Sequence, residues 1–239
     1  MSPVASFHLV TERRGRQPLV IARLGLDRRR LRPVDGLSFF RTLGTARGTN
    51  TGPSIDARRS ALFAVWRDEA ALDRFLSTDP IVRRWDAAEQ AWHVRMRLLS
   101  GHGCWGDLDI SGLGRPDSSD DARPEHGPVA VLTRATIRTC ATVRFTRASR
   151  SFGGATARAP GNLAVVGIGE RPVGRLGTFS LWTNHAAAKR FATTDDDHLT
   201  AMRQARAEGW FADELFAVFR PIRSAGTWDG RDPLAGQPA

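Results

Sequence analysis

LWTNHAAAKRF, residues 181–191, repeats VWRDEAALDRF, residues 65–75. Trp182 matches Trp66 and Phe191 matches Phe75, both at an offset of 116 (182 − 66, 191 − 75). Asp68 and Asn184 stand at matching places, and both are residues whose side-chain oxygen caps a helix N-terminus. The two copies also end alike. GCWGDL (103–108) resembles GTWDGRDPL (226–234), but Trp105 to Trp228 is an offset of 123. The second copy therefore carries seven extra residues (123 − 116), which fall within TTDDDHLTAMRQARAEGWFADELFAVFR, residues 193–220.

Working outward, hydrophobic period gives both copies one rhythm. The first reads as a strand VASFHLV, a helix near 16–30, strands around GLSFFRTLG and SALFAVW, a helix opening at Asp68, and a strand around AWHVRMRLL. The second reads as a strand PVAVLTRATIR, a helix around 139–151, strands NLAVVGIGE and GTFSLW, a helix from about Asn184, and a last strand ELFAVFRPIR. The order is βαββαβ twice. The Gly-, Pro-, Ser- and Asp-rich segment 109–128 has no apolar period and reads as a linker between repeats at 1–108 and 129–239. Helices cover one face of each such sheet, and the other face needs a partner. The expected fold is therefore α+β: tandem ferredoxin-like repeats packed sheet to sheet as an intramolecular dimeric-α/β-barrel-type fold. Alternation along VAVLTRATIR places Val129, Val131, Thr133, Ala135 and Ile137 on the helix face. Ala130, Leu132, Arg134, Thr136 and Arg138 then face the interior, which suits a polar-edged cavity. Alternatively, the two arginines lie near the strand end and reach solvent.

The net charge is +10 and the pI about 11.3, which raises nucleic-acid binding. The arginines are spread along the chain, however, and only DRRRLRP (27–33) is a tight cluster. Aromatic residues do not alternate with basic ones as on a single-strand binding surface, so no specific nucleic-acid partner is expected. The charge suits an anionic membrane surface at least as well. No apolar run is long enough to span a bilayer, and the N-terminus lacks the pattern of a secretion signal. Cys104 and Cys140 form neither a disulfide framework nor a metal-ligand spacing, and each reads as a small buried residue. A cytoplasmic location, with peripheral membrane contact, fits these features. Oligomeric state is not encoded in any visible pattern. No Ser-His-Asp, zinc, phosphate-loop, flavin or nicotinamide motif is present.

AVLTRATIR, GIGERP, FSLW and HLTAMRQARAEGWFADELFAVFR…GTWDGRDPL, with FFRTLGTARGTNTGP and FAVWRDEAAL in the first half, resemble the spheroidene monooxygenase family over most of the chain. The family's members introduce a keto group into carotenoids and are described as haem-containing oxygenases. Related barrels hold haem between sheet and helix on a histidine. Phe40-Arg41 stands where the family tends to have Trp-Lys, and Val165 where it has lysine. LGTARG replaces a cysteine followed by small residues. These changes fall on strands expected to face the interior.

Asp195, Asp196 and Asp197 read as helix-capping carboxylates. His198 follows in the first turn, with Met202 and Ala205 on its face at i+4 and i+7. By itself it is equally a surface or capping histidine. The resemblance makes it the haem-iron ligand, since it is the histidine at a motif position. Gly209 reads as a helix stop, and Trp210 and Phe211 after it are either core or the wall of a pocket for a flat ring or polyene. Arg134 or Arg138 would anchor the propionates, and Glu214 either meets a barrel arginine or is solvated. The resemblance thus implies a haem-dependent monooxygenase with an apolar small-molecule substrate and an external electron donor. A haem enzyme of another reaction type, such as a dehydratase, and a non-catalytic ligand-binding barrel remain open at this level.

Overall fold

The computed structural model describes residues 2–47, 55–113, 127–145, 154–171, 174–194, 200, 203–205 and 207–238. The first half comprises β1 (Val4–Thr11), α1 (Gln17–Leu31), β2 (Leu37–Ala46), β3 (Ile55–Trp66), α2 (Glu69–Thr78), α3 (Pro80–Asp86) and β4 (Gln90–Trp105), with a short β5 (Leu108–Asp109) folded back on β4. The second comprises β6 (Val129–Ile137), β7 (Asn162–Gly169), β8 (Arg175–Trp182), α4 (His185–Thr194) and β9 (Phe211–Gly226). Strands pair in the order β1-β3-β2-β7-β8-β6-β9-β4, and β4 pairs back onto β1, so the antiparallel sheet closes on itself as a barrel. Closure removes the sheet edges that would otherwise template aggregation.

The two halves share their register. Val4 pairs with Trp66 and Val129 with Trp182. Ala5 pairs with Met96 and Ala130 with Phe219, so β9 follows β4 at an offset of 123 (219 − 96). The seven extra residues thus lie between Phe191 and Phe219. Both caps form as their residue types require: the Ala71 N–H donates to Asp68 at 2.8 Å and the Ala187 N–H to Asn184 at 2.8 Å. Each repeated tryptophan lies under its helix, with Trp66 4.9 Å from Phe75 and Trp182 5.4 Å from Phe191. A buried indole N–H needs an acceptor. Trp66 donates to Ser6 and Trp182 to Ser180, each at 2.9 Å. Ser6 lies opposite Ala64, and Ser180 opposite Val131. The same need is therefore met from opposite members of the same strand pair.

Alternation divides the strands as expected. Ala130 and Leu132 enter the barrel interior, while Val129 and Val131 pack under α4 with Trp182 and Ala187. The interior is filled rather than open. Phe7 stacks on Phe179 at 3.9 Å, joining the halves, and Phe63 lies 5.7 Å from Trp105 and 6.0 Å from Phe219. Trp105 and Trp228, the matched tryptophans, close opposite ends of the barrel: Trp105 ends β4 beside the start of β9, and Trp228 packs on Trp92 at the start of β4.

Several expectations change. The helix expected at 139–151 opens as a 3-10 turn, Thr139–Ala141, followed by helical residues 142–145; its remainder lies outside the described residues. The first half gains α3, started by Asp79 capping Ile81 at 2.7 Å. Ile110, in the expected linker, is buried in the barrel core. Phe40 and Val165 point away from the interior, because their neighbours Phe39 and Val166 occupy it; Arg41 faces in. Both cysteines are exposed, Cys140 because it sits on the surface turn after β6. No helix among the described residues is long and apolar enough to cross a membrane.

Because Phe179 is fully buried and stacks across the halves, Phe179→Ala should lose about 3–5 kcal/mol of stability. Urea unfolding followed by circular dichroism measures this; a loss of under about 1 kcal/mol would mean the interior is not packed as described.

Candidate functional site

Three of the segments that distinguish this sequence, AVLTRATIR, GIGERP and GWFADE, meet at one end of the barrel, where the end of β6 lies beside the start of β9. The local sequence sets the geometry. Thr136 pairs with Asp213 but Ile137 pairs with Phe211, so Ala212 is an extra residue on β9. Such a bulge shifts the residues on either side of it relative to the pleat. Asp213, on the near side of the bulge, keeps the interior face of Leu215 and meets Arg134 at the barrel end, while Phe211, beyond it, joins the outer cluster of Ile137, Ala141, Ala205 and Trp210.

Inside, Arg134 is only 6% exposed. It is paired with Asp213, donates to Thr136 at 2.5 Å, and lies 3.5 Å from Glu170. Its Nε has no partner. Glu170 is the hub of this cluster. It accepts from the Trp105 indole at 2.7 Å, and Arg41 and Arg175 approach its other oxygen at 3.6 and 3.5 Å. Arg41 also donates to the Trp105 carbonyl at 3.2 Å and lies over the Phe39 ring. Burial lowers the Arg41 guanidinium from its usual value, and Glu170 and Asp107 act against that shift. Close backbone approach explains a glycine of GIGE: Gly169 opposes Gly44, and a Cβ on it would lie 3.0 Å from the Arg171 carbonyl. Asp213, not Glu214, meets the barrel arginine; Glu214 has no ion pair among the described residues.

Outside, Trp210 is buried and its indole donates to Glu208 at 2.9 Å. Phe211 is partly buried, 6.2 Å edge-on from Phe145. Arg138, expected on the interior face, instead follows the last residue of β6 and is exposed, with its Nε donating to the Phe211 carbonyl at 3.2 Å. The wall is apolar and aromatic, its residues packed on one another, with Arg138 at its solvent border. His198, Met202 and the three aspartates before His198 lie outside the described residues. Ala205, from the same expected helix, is buried against this wall.

A second buried cluster has no counterpart in the sequence reading. The His8 and His93 Nδ1 atoms are 2.9 Å apart, and His8 Nε2 is 2.9 Å from the Ser6 hydroxyl that accepts from Trp66. Trp85 stacks on His8 at 4.9 Å and on His93 at 5.5 Å. Burial holds His8 well below the ordinary imidazole value, with His93 adding to the shift. Burial brings His93 down to about 4 against the opposing Asp86. Cavities of about 40 and 150 Å³ flank His8, the first under α1 and the second beside Arg95 and Arg223. They have room for water rather than a porphyrin. The signal in sequence was His8 on the helix face of a strand, opposite His93; only strand pairing makes them neighbours.

No family model matches the chain. A relative named spheroidene monooxygenase, from Rhodobacter capsulatus, is 32% identical over 237 residues, covering 98% of this chain and 97% of the relative. One of the same name from Rubrivivax gelatinosus is 34% identical over 197 residues, 82% of this chain and 73% of the relative. Among solved structures, an aldoxime dehydratase is similar with a TM-score of 0.61 at 10% identity, over 98% of this chain and 86% of that one. Its likeness is one of fold.

Two outcomes follow from these clusters. Glu170→Ala leaves Arg134 and Arg41 short of a carboxylate in a buried setting and should cost about 3–5 kcal/mol; Glu170→Asp should recover part of the loss, with urea midpoints as the measure. The histidine pair makes stability pH-dependent. Both imidazoles are lowered in the fold relative to about 6.5 unfolded, so the unfolded chain binds more protons between that value and about 4. Stability should be full above pH ~6.5 and fall towards pH ~4, by up to about 1.4 kcal/mol per pH unit for each imidazole. His8→Gln/His93→Gln should flatten that profile; an unchanged slope would show that the pair is not its source.

Proposed function

This chain belongs to the spheroidene monooxygenase family of oxidoreductases, and on that premise we propose that it is a haem-dependent monooxygenase acting on an apolar substrate such as a carotenoid or another terpenoid. The observation that carries the reading is the bulge at Ala212, which turns Phe211 outward into the cluster of Trp210, Phe145 and Ala205. In this reading the aromatic wall of Phe145, Trp210 and Phe211 takes one face of the ring, and burial there excludes water from the apolar substrate. Arg138 at the rim meets a propionate. Arg134 commits both Nη atoms to Asp213, Thr136 and Glu170, so its part is to hold the start of β9, and with it the wall, in position. His198 ligates the iron. Bound haem supplies the oxygen chemistry, and an external donor supplies the electrons.

Purified protein, reconstituted with haemin, should show a Soret band. His198→Ala should lower the haem-to-protein ratio at least about tenfold if His198 holds the iron, while His185→Ala keeps it. Trp210→Ala should weaken haem retention, and Arg138→Gln should weaken it less. Incubation with an acyclic carotenoid, a reductant system and ¹⁸O₂ should place label in a keto product. Full haem content in His198→Ala, or loss only in His185→Ala, would remove His198 from the site.

A further inference from the structure

The exposed face of α1 is built unlike the rest of the surface. Its buried side runs Val20, Leu24, Asp27 and Leu31, at the spacing of one helical face against the sheet. The outward side should then be polar. Instead Leu19, Ile21 and Leu26 are exposed to 47, 65 and 55%, with Pro18, Ala22 and Gly25 between them; Arg23, one turn from Leu19 and Leu26, is half-buried and neutralised by Glu12. This apolar patch has a basic border at each end. Arg13, Arg14 and Arg16 precede the helix, and Arg28, Arg29, Arg30 and Arg32 close it, all exposed. Among the described residues none of these seven arginines forms an ion pair. The acids nearby are already used: Glu12 is paired with Arg23, and Asp27 with Arg84. Residues 12–32 carry eight arginines and two acids, a net +6 out of +10 for the whole chain.

We propose that α1 is a membrane-docking surface that seats Leu19, Ile21 and Leu26 among the acyl chains of an anionic bilayer while the flanking arginines bind lipid phosphates. Charge decides between the possible occupants. A second copy of the same chain would bring +6 against +6 across the patch. A nucleic acid would use the arginines but leave three large apolar side chains facing a polyanion. An anionic lipid surface matches both parts, since interfacial helices combine an inserted apolar face with Arg or Lys at headgroup level. Nothing in this inference depends on haem or on the oxidation reaction. The helix lies in the first half, and the wall assigned to the cofactor in the second.

The test is flotation of the full chain with vesicles of neutral phosphatidylcholine and of phosphatidylcholine with about a third phosphatidylglycerol. The protein should float with the anionic vesicles at about 0.15 M salt and bind neutral ones far less. Arg28→Gln/Arg29→Gln/Arg30→Gln should lower the partition coefficient about a hundredfold. Leu19→Ser/Ile21→Ser/Leu26→Ser should lower it about tenfold or more without altering the circular dichroism spectrum, because all three side chains are exposed. Equal flotation of this serine variant would reduce the surface to a basic patch and overturn the proposal. So would tighter binding to duplex DNA than to anionic vesicles, or a dimer in solution that the serine substitutions dissociate.

Discussion

One carboxylate, Glu170, crosses the seam where backbone pairing is thinnest. Among the described residues β2 and β7 share two paired positions, Gly44 with Gly169 and Thr45 with Ile168. At the other seam β4 and β9 pair along most of their length. Glu170 follows directly after β7 and reaches Trp105 and Arg41 of the first half while holding Arg134 and Arg175 of the second. In water such contacts contribute little, but here Arg134 and Glu170 are largely withdrawn from it, and either left alone would be a buried charge. The carboxylate thus ties one barrel end together. The stacked Phe7–Phe179 pair ties the middle by dispersion and burial.

That tie also locates the candidate site. Arg134 is held from inside by Glu170 and Asp213, so the end of β6 and the start of β9 have little freedom. The extra residue Ala212 then turns the neighbouring aromatic outward. A polar cluster inside the barrel and an aromatic wall outside it are two sides of the same pair of strands. Charge is concentrated where it fixes backbone, and the outer wall is apolar with Arg138 and the Arg144–Glu208 pair at its border.

The two halves use one plan with different side chains. Asp68 and Asn184 cap equivalent helices, and Trp66 and Trp182 lie beneath them. The acceptor for the indole sits on β1 in one half and on β8 in the other. In the first half Ser6 leads on to His8, His93 and Trp85, and the interface holds two small cavities. The second half has Val131 opposite Ser180 and, among the described residues, no histidine bonded to it. Duplication of a fold does not duplicate its polar interior, because any hydrogen-bond acceptor within reach satisfies the same donor.

The sequence by itself determined the βαββαβ order, the matched caps and tryptophans, the seven-residue difference, and the two faces of β6. These depend on residue spacing and local chemistry, which are fully written along the chain. Burial against solvent, and what touches what across strands, are not. Alternation placed Arg134 and Arg138 on one face, but β6 ends at Ile137, so Arg138 leaves that face for solvent. Alternation along β9 chose Asp213 over Glu214 as the partner of Arg134, since Asp213 shares the interior face of Leu215, and the bulge at Ala212 moved Phe211 to the other face. Spacing suggested a cavity between the sheets; the tertiary structure fills it, because strands from both halves bring phenylalanine and tryptophan to one axis. The pairing of β1 with β4 made neighbours of His8 and His93, which lie 85 residues apart in the chain.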